Sequence, residues 1–159
     1  MRRDRKPHCA GSRRRRLRLA FPEPSRRQRQ SCVGSRLPAY CTAPGRVILA
    51  YMEEGEAEAI LESSPREKKT SHTVTGKAAL LKILKEVRKQ GFCINNQEAF
   101  IGDLSIASPV IGHAGRVVGA VNIAVPIPRW TVAQARRDLV PIVMRAARQI
   151  TETLATVSV

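Results

Sequence analysis

Residues 104–125 read LSIASPVIGHAGRVVGAVNIAV. Two apolar runs flank Gly112-His113-Ala114-Gly115, and that connection is too short to cross over a sheet. The spacing therefore predicts an antiparallel hairpin with strands Leu104–Ile111 and Arg116–Val125. Strand side chains alternate between faces. Val117, Gly119, Val121, Ile123 and Val125 share one side, and Val118, Ala120, Asn122 and Ala124 the other. A third strand is predicted over Phe92–Gln97.

Helices surround this sheet. Upstream, Leu80, Leu81, Leu84 and Val87 recur at helical spacing, with Thr75 as the expected cap and Gly91 as the stop after Gln90. Further upstream, Thr42 or Ala43 opens a helix with Pro44 in its first turn and Val47, Ile48 and Tyr51 on one face. Glu53–Leu61 reads as a short acidic helix ended at Ser63-Ser64-Pro65, and 66–75 as loop. Gly34 and Pro38 mark a strand end and a turn. Downstream, Pro126 and Pro128 end the sheet. Thr131-Val132-Ala133-Gln134 is a capping box opening the last helix. Its predicted apolar stripe is Val132, Ala135, Leu139, Ile142, Ala146, Ile150 and Leu154. Pro141 lies inside it and should kink it.

The chain has 159 residues, room for one ordinary domain, and only 4% of them are aromatic, so the core must be aliphatic. The net charge of +15 is uneven. Residues 1–31 hold 12 basic and 2 acidic side chains, and the remaining 128 hold 16 and 11. Residues 1–32 cannot bury enough apolar surface to offset their ordering entropy and are predicted to be a disordered Arg-rich segment. Residues 33–157 form the predicted domain. No apolar run reaches the roughly 18 residues a membrane span needs, and no apolar stretch follows the basic N-terminus as in a secretory signal.

Cys9, Cys32, Cys41 and Cys93 make no C-x-x-C pair, and His8, His72 and His113 are scattered. No metal site and no cofactor is expected from them. They read as free thiols of a reducing cytoplasm. Asn122 and Ser105 taken alone read as polar strand residues bonded to backbone.

The order of several words resembles a known family. Gly34-Ser35-Arg36-Leu37-Pro38-Ala39-Tyr40-Cys41-Thr42, then Gly45-Arg46-Val47-Ile48-Leu49-Ala50, then Ala78-Ala79-Leu80-Leu81 through Gly91-Phe92, then Ser105–Val110 and Gly115–Asn122 are similar to the effector-binding domain of IclR-type transcription regulators. The wording at 37–42 is most like the subgroup controlling protocatechuate, hydroxybenzoate and β-ketoadipate catabolism. The resemblance implies an α+β fold of the GAF/profilin-like kind: a curved antiparallel sheet with packed helices, here incomplete. It implies a small organic acid as effector, a homo-oligomer in intact relatives, and DNA contacted through a winged helix-turn-helix that this sequence lacks. A shifted reading frame or wrong start would account for the Arg-rich segment, with a genuine basic tail as the alternative.

The resemblance also implies the effector-binding residues. They are Ala43, Pro44 and Gly45 at a helix start, Asn95 on the first strand, Asp103 and Ser105 on the second, and Asn122 and Ala124 on the third. A helix N-terminus favours a carboxylate. Two positions depart from the pattern: Pro44 has no N–H to offer, and the charge of Asp103 opposes an acid. No catalytic group is expected. One rival reading is a basic protein binding nucleic acid without sequence preference. Another is a small enzyme using Cys41 or Cys93 with His113, which requires a Cys–His pair about 3 Å apart.

Overall fold

The computed structural model describes residues 36–157, so the predicted disordered segment 1–32 lies outside the described residues. The hairpin forms as predicted. Strands β2 (Asp103–Ile111) and β3 (Val117–Pro126) pair antiparallel, and β1 (Cys93–Asn96) pairs antiparallel with β2, giving the order β1-β2-β3. At the turn Gly112 N–H donates to Arg116 O over 2.7 Å, and Ala114 and Gly115 take φ of 59° and 71°. The register slips between Val110 and Ile111, so Val118 faces no partner and stands as a bulge.

The sheet separates two cores. On one face lie α1 (Ala43–Tyr51), α2 (Glu54–Ser63) and α3 (Lys77–Gln90), whose Val47, Ala50, Leu61, Leu80 and Leu84 pack with Cys93 and Ala107. On the other lie the short α4 (Val132–Gln134) and α5 (Val140–Val157), where Ala135, Leu139 and Val143 pack with Phe92, Leu104 and Ile106. Helix α3 starts one residue later than predicted. Gly76, not Thr75, holds the cap position, and no side chain caps it. Its stop is as predicted: Gly91 takes φ 80° and its N–H reaches Val87 O.

Thr42 does hold the cap position of α1, but its hydroxyl turns back to donate to Pro38 O over 3.0 Å instead of capping. The predicted face of α1 also needs correcting. The fully buried positions are Ala43, Arg46, Val47 and Ala50, with Leu49 beside them, while Ile48 and Tyr51 are half-exposed. Gly45 is there because nothing larger fits. A Cβ on it would stand 2.4 Å from Ala39 Cα and 2.6 Å from Thr42 Oγ1. The 3-10 turn Ala39–Cys41 thus presses directly on the first turn of α1.

The last helix opens with the predicted capping box: Thr131 Oγ1 accepts from Gln134 N–H, and Gln134 Oε1 accepts from Thr131 N–H over 2.9 Å. Its buried stripe is not the predicted one. Ala135, Leu139, Val140, Val143 and Ala147 are buried, while Val132, Ile142, Ile150 and Leu154 are exposed. The cause lies before Pro141. Residues Ala135–Leu139 form a π turn, in which Val140 N–H reaches back to Ala135 O. Pro141 has no N–H for the ladder and its ring crowds the carbonyl four residues back, and the wider turn absorbs this. The wider turn also moves the downstream phase, so the core meets the row one residue away from the predicted one.

Gly45→Ala should destabilise the protein by about 1–3 kcal/mol, the usual cost of forcing a side chain into a closed contact. At an open helix position the same change stabilises by roughly 0.5–1 kcal/mol. Urea denaturation followed by circular dichroism distinguishes the two signs.

Candidate functional site

Arg46 sits on the core face of α1 and is 2% exposed, yet it carries a full charge. Its guanidinium is forked onto the Glu98 carboxylate, with Nη1–Oε1 at 2.5 Å and Nη2–Oε2 at 2.6 Å, while Nε donates to Tyr40 O over 2.7 Å. Glu98 follows β1, and its Oε2 also accepts from Val74 N–H over 2.9 Å. Thr73 Oγ1 donates to Glu98 O over 2.7 Å, and Thr70 Oγ1 to Gln97 O over 2.8 Å. Asn95 completes the network: its Nδ2 donates to Cys41 O over 2.9 Å and its Oδ1 accepts from Glu98 N–H over 3.2 Å. One ion pair therefore ties the 39–41 turn, α1, the 70–74 loop and the end of β1 together. No buried side-chain N or O among the described residues is left without a partner, which is the condition under which a buried ion pair is tolerated.

Directly on this platform stand the residues read from the sequence as effector-binding. The register aligns Asn95, Ser105 and Ala124 in one cross-strand row and Cys93, Ala107 and Asn122 in the next. Because Cys93 and Ala107 pack in the core with α1, both rows belong to the face beneath that helix. Asp103, opposite Pro126, extends the same face by one row. The residues differ in accessibility. Ala43, Asn95 and Ser105 are buried, Pro44, Gly45 and Asp103 half-buried, and Asn122 and Ala124 exposed. Helix α1 packs over all three strands of this face, and Asn122 and Ala124 of β3 nonetheless stay exposed. Asn95, with both ends of its amide engaged, supports this floor from below.

Asp103 is half-buried, and desolvation pushes its carboxyl above the usual range. Burial likewise raises the thiol pKa of Cys41, and that of Cys93 to about 11. Both are thus held as thiols, the unreactive form. His113 stands exposed in the hairpin turn. Two cavities lie elsewhere. One of about 290 Å³ is bounded by Leu49, Ala57, Leu84 and Arg88, and one of about 700 Å³ by Pro38, Tyr40, Ile60 and Lys69. Neither cavity is lined by Asn95, Asp103, Ser105, Asn122 or Ala124. The sequence reading missed Arg46 and Glu98. The available signal was a charge at position 46, three after Ala43 and four before Ala50, on the apolar face of its helix.

The family described as bacterial transcriptional regulator IclR C-terminal matches residues 21–152. The Pca operon regulatory protein of Acinetobacter baylyi is 32% identical over 122 residues, covering 77% of this chain and 44% of that protein. A crystal structure of a transcriptional regulator from Rhodococcus sp. RHA1 superposes with a TM-score of 0.78 at 38% identity, covering 80% of this chain and 52% of that one. The inducer-binding domain of the PobR transcription factor from Acinetobacter, crystallised as a double mutant with 3-hydroxybenzoic acid, superposes with a TM-score of 0.70 at 25% identity, covering 74% of this chain and 67% of that one. The chain therefore spans less than half the length of that curated relative.

Two predictions follow from the platform. Glu98→Leu alone strands the buried Arg46 charge, and Arg46→Met alone strands that of Glu98; each should cost about 3–5 kcal/mol, whereas the double change should cost clearly less than either single change; denaturant titration of the three variants measures the coupling. For Asp103 the sign is opposite to that of a paired carboxylate. Its folded pKa lies above the unfolded value near 3.8, so the folded state holds the proton longer and loses stability as pH rises through that window. Asp103→Asn should accordingly stabilise the protein at pH 7, and the gain should vanish below about pH 3.9. Denaturation midpoints at both pH values check it.

Proposed function

The chain belongs to the bacterial transcriptional regulator IclR C-terminal family, and on that premise we propose that residues 33–157 act as the small-acid sensor of a transcription regulator. The observation that carries this reading is the register. It gathers Asn95, Ser105 and Ala124, with Asn122 in the adjoining row, beneath the helix that begins at Ala43-Pro44-Gly45. Asn122 offers a donor and an acceptor on the open part of the face, suited to a hydroxyl or carboxylate. The start of α1 contributes the positive end of a helix dipole. Asp103 opposes an anion, which weakens binding.

The ligand class is a hydroxylated aromatic carboxylic acid, by similarity to the PobR domain crystallised with 3-hydroxybenzoic acid and to the regulator of a Pca operon. Contact with DNA is assigned to a winged helix-turn-helix outside residues 33–157. The regulator works in the cytoplasm, where its target gene lies; among the described residues no helix is long and apolar enough to cross a membrane.

Calorimetric titration of 3-hydroxybenzoate and protocatechuate tests the reading. Asn122→Ala should weaken binding by about 0.5–1.5 kcal/mol, roughly two- to tenfold, and Asp103→Leu should strengthen it. Equal affinity in all three proteins would move the ligand off this face, and heat-silent titrations of all three would remove the sensing role.

A further inference from the structure

Leu81, Leu84, Lys85 and Arg88 recur at three- and four-residue spacing and so share one stripe of α3. Across from them stand Leu49, Ala50 and Met52 at the end of α1, and Ala57 of α2. A cleft of about 290 Å³ remains between the three helices. Ala57, only 4% exposed, contributes no more than a methyl group to its wall. The remaining walls are aliphatic or thioether. The two charged residues that line it, Lys85 and Arg88, are exposed and so stand at its mouth. Apolar space of this kind holds water poorly and takes small hydrophobic molecules instead; an apolar cavity of roughly 150 Å³ accommodates one benzene.

The cation at this mouth is held in place. Arg88 Nη1 donates to Met52 O over 3.2 Å and to Ala50 O over 3.5 Å, the carbonyls at the end of α1. The guanidinium carbon also lies 6.0 Å from the centre of the Tyr51 ring. These contacts order a side chain that would otherwise sample many rotamers in solvent. Among the described residues both bonds use Nη1, and the edge formed by Nε and Nη2 has no protein acceptor. That edge is one of the donor pairs through which arginine takes a carboxylate in two parallel bonds. Of the acids on the neighbouring α2, Glu58 and Glu62 are held by Lys77, at 2.7 and 3.1 Å.

We propose that this cleft is a second ligand site, for an aliphatic monocarboxylic acid whose chain fills the slot and whose carboxylate is forked by Arg88. Each part of that class follows from the walls. The one ordered guanidinium edge matches one carboxylate. The aliphatic walls match an alkyl chain, and the flexible thioether of Met52 adapts to its length. The volume, about twice that of a cavity holding one benzene, suits a chain of several carbons. A second carboxylate on the ligand would be buried among Leu49, Ala57 and Leu84 with no partner, which excludes a diacid. The site is separate from the sensor face, since Asn95, Asp103, Ser105, Asn122 and Ala124 do not line it. The two places share only α1, with Ala43-Pro44-Gly45 at one end and Leu49 and Ala50 at the other.

The test is calorimetric titration of the full chain with octanoate and, as the probe without a charge, octanol. The wild type should bind both, octanoate more tightly. Arg88→Met keeps the apolar stem and removes the fork, so it should weaken octanoate by at least about tenfold and leave octanol unchanged. That split between probes is one that a general loss of fold would not produce. Ala57→Leu fills the slot and should weaken both probes, with an unchanged circular dichroism spectrum. Asn122→Ala, on the sensor face, should leave octanoate affinity as it is. A wild type that does not bind octanoate overturns the proposal. So does an Arg88→Met protein that binds octanoate like the wild type or loses both probes equally, an Ala57→Leu protein with wild-type affinities, or an octanoate affinity that Asn122→Ala lowers, which would put the acid on the sensor face.

Discussion

Arg46 brings a charge into the interior that, among the described residues, Glu98 and the Tyr40 carbonyl answer. A lone buried guanidinium is too costly to survive, so every element that contributes a partner is held where that partner is needed. The pair fixes the depth of α1 against β1. Through Val74 and Thr73 it also fixes the path of the 66–75 loop, which has no regular structure of its own. Hydrophobic burial alone would let α1 slide along a floor of Cys93 and Ala107. The forked ion pair admits one position, because both oxygens and both nitrogens are spoken for. The start of α1, the residue range at the centre of the sensor reading, inherits its placement from this contact.

The face of the sheet under α1 shows a division between support and exposure. Asn95 and Ser105 are buried, and Asn122 and Ala124 are exposed. Asn95 spends its amide on Cys41 O and Glu98 N–H, so it transmits the position of the ion pair to the floor. Polarity that depends on β3 remains available at the surface.

The opposite face is governed by one backbone irregularity. The π turn at Ala135–Leu139 absorbs Pro141 and shifts the helix that follows. As a result α5 carries two adjacent apolar rows. One is buried against Ile106 and Leu104, and the other is turned outward with Ile142 and Ile150. The same proline that complicates the helix therefore decides which apolar row of α5 faces water.

Much of this was determined by local sequence. The hairpin around Gly112–Gly115, the Gly91 stop and the Thr131–Gln134 capping box depend on residues within a few positions of one another, and local steric and hydrogen-bonding rules decide them. The family words at 34–50, 78–92 and 105–122 likewise carried the fold. Other features were decided by residues far apart in the chain. Arg46 and Glu98 are 52 residues apart, and no periodicity links them. The buried stripe of α5 depended on how the chain absorbs Pro141, here by a π turn beside Leu139 and Val143, which pack against the sheet. The sharing of one face by Asn95, Ser105 and Ala124 was decided by strand register, since a slip of one residue would have sent Ser105 to the opposite side.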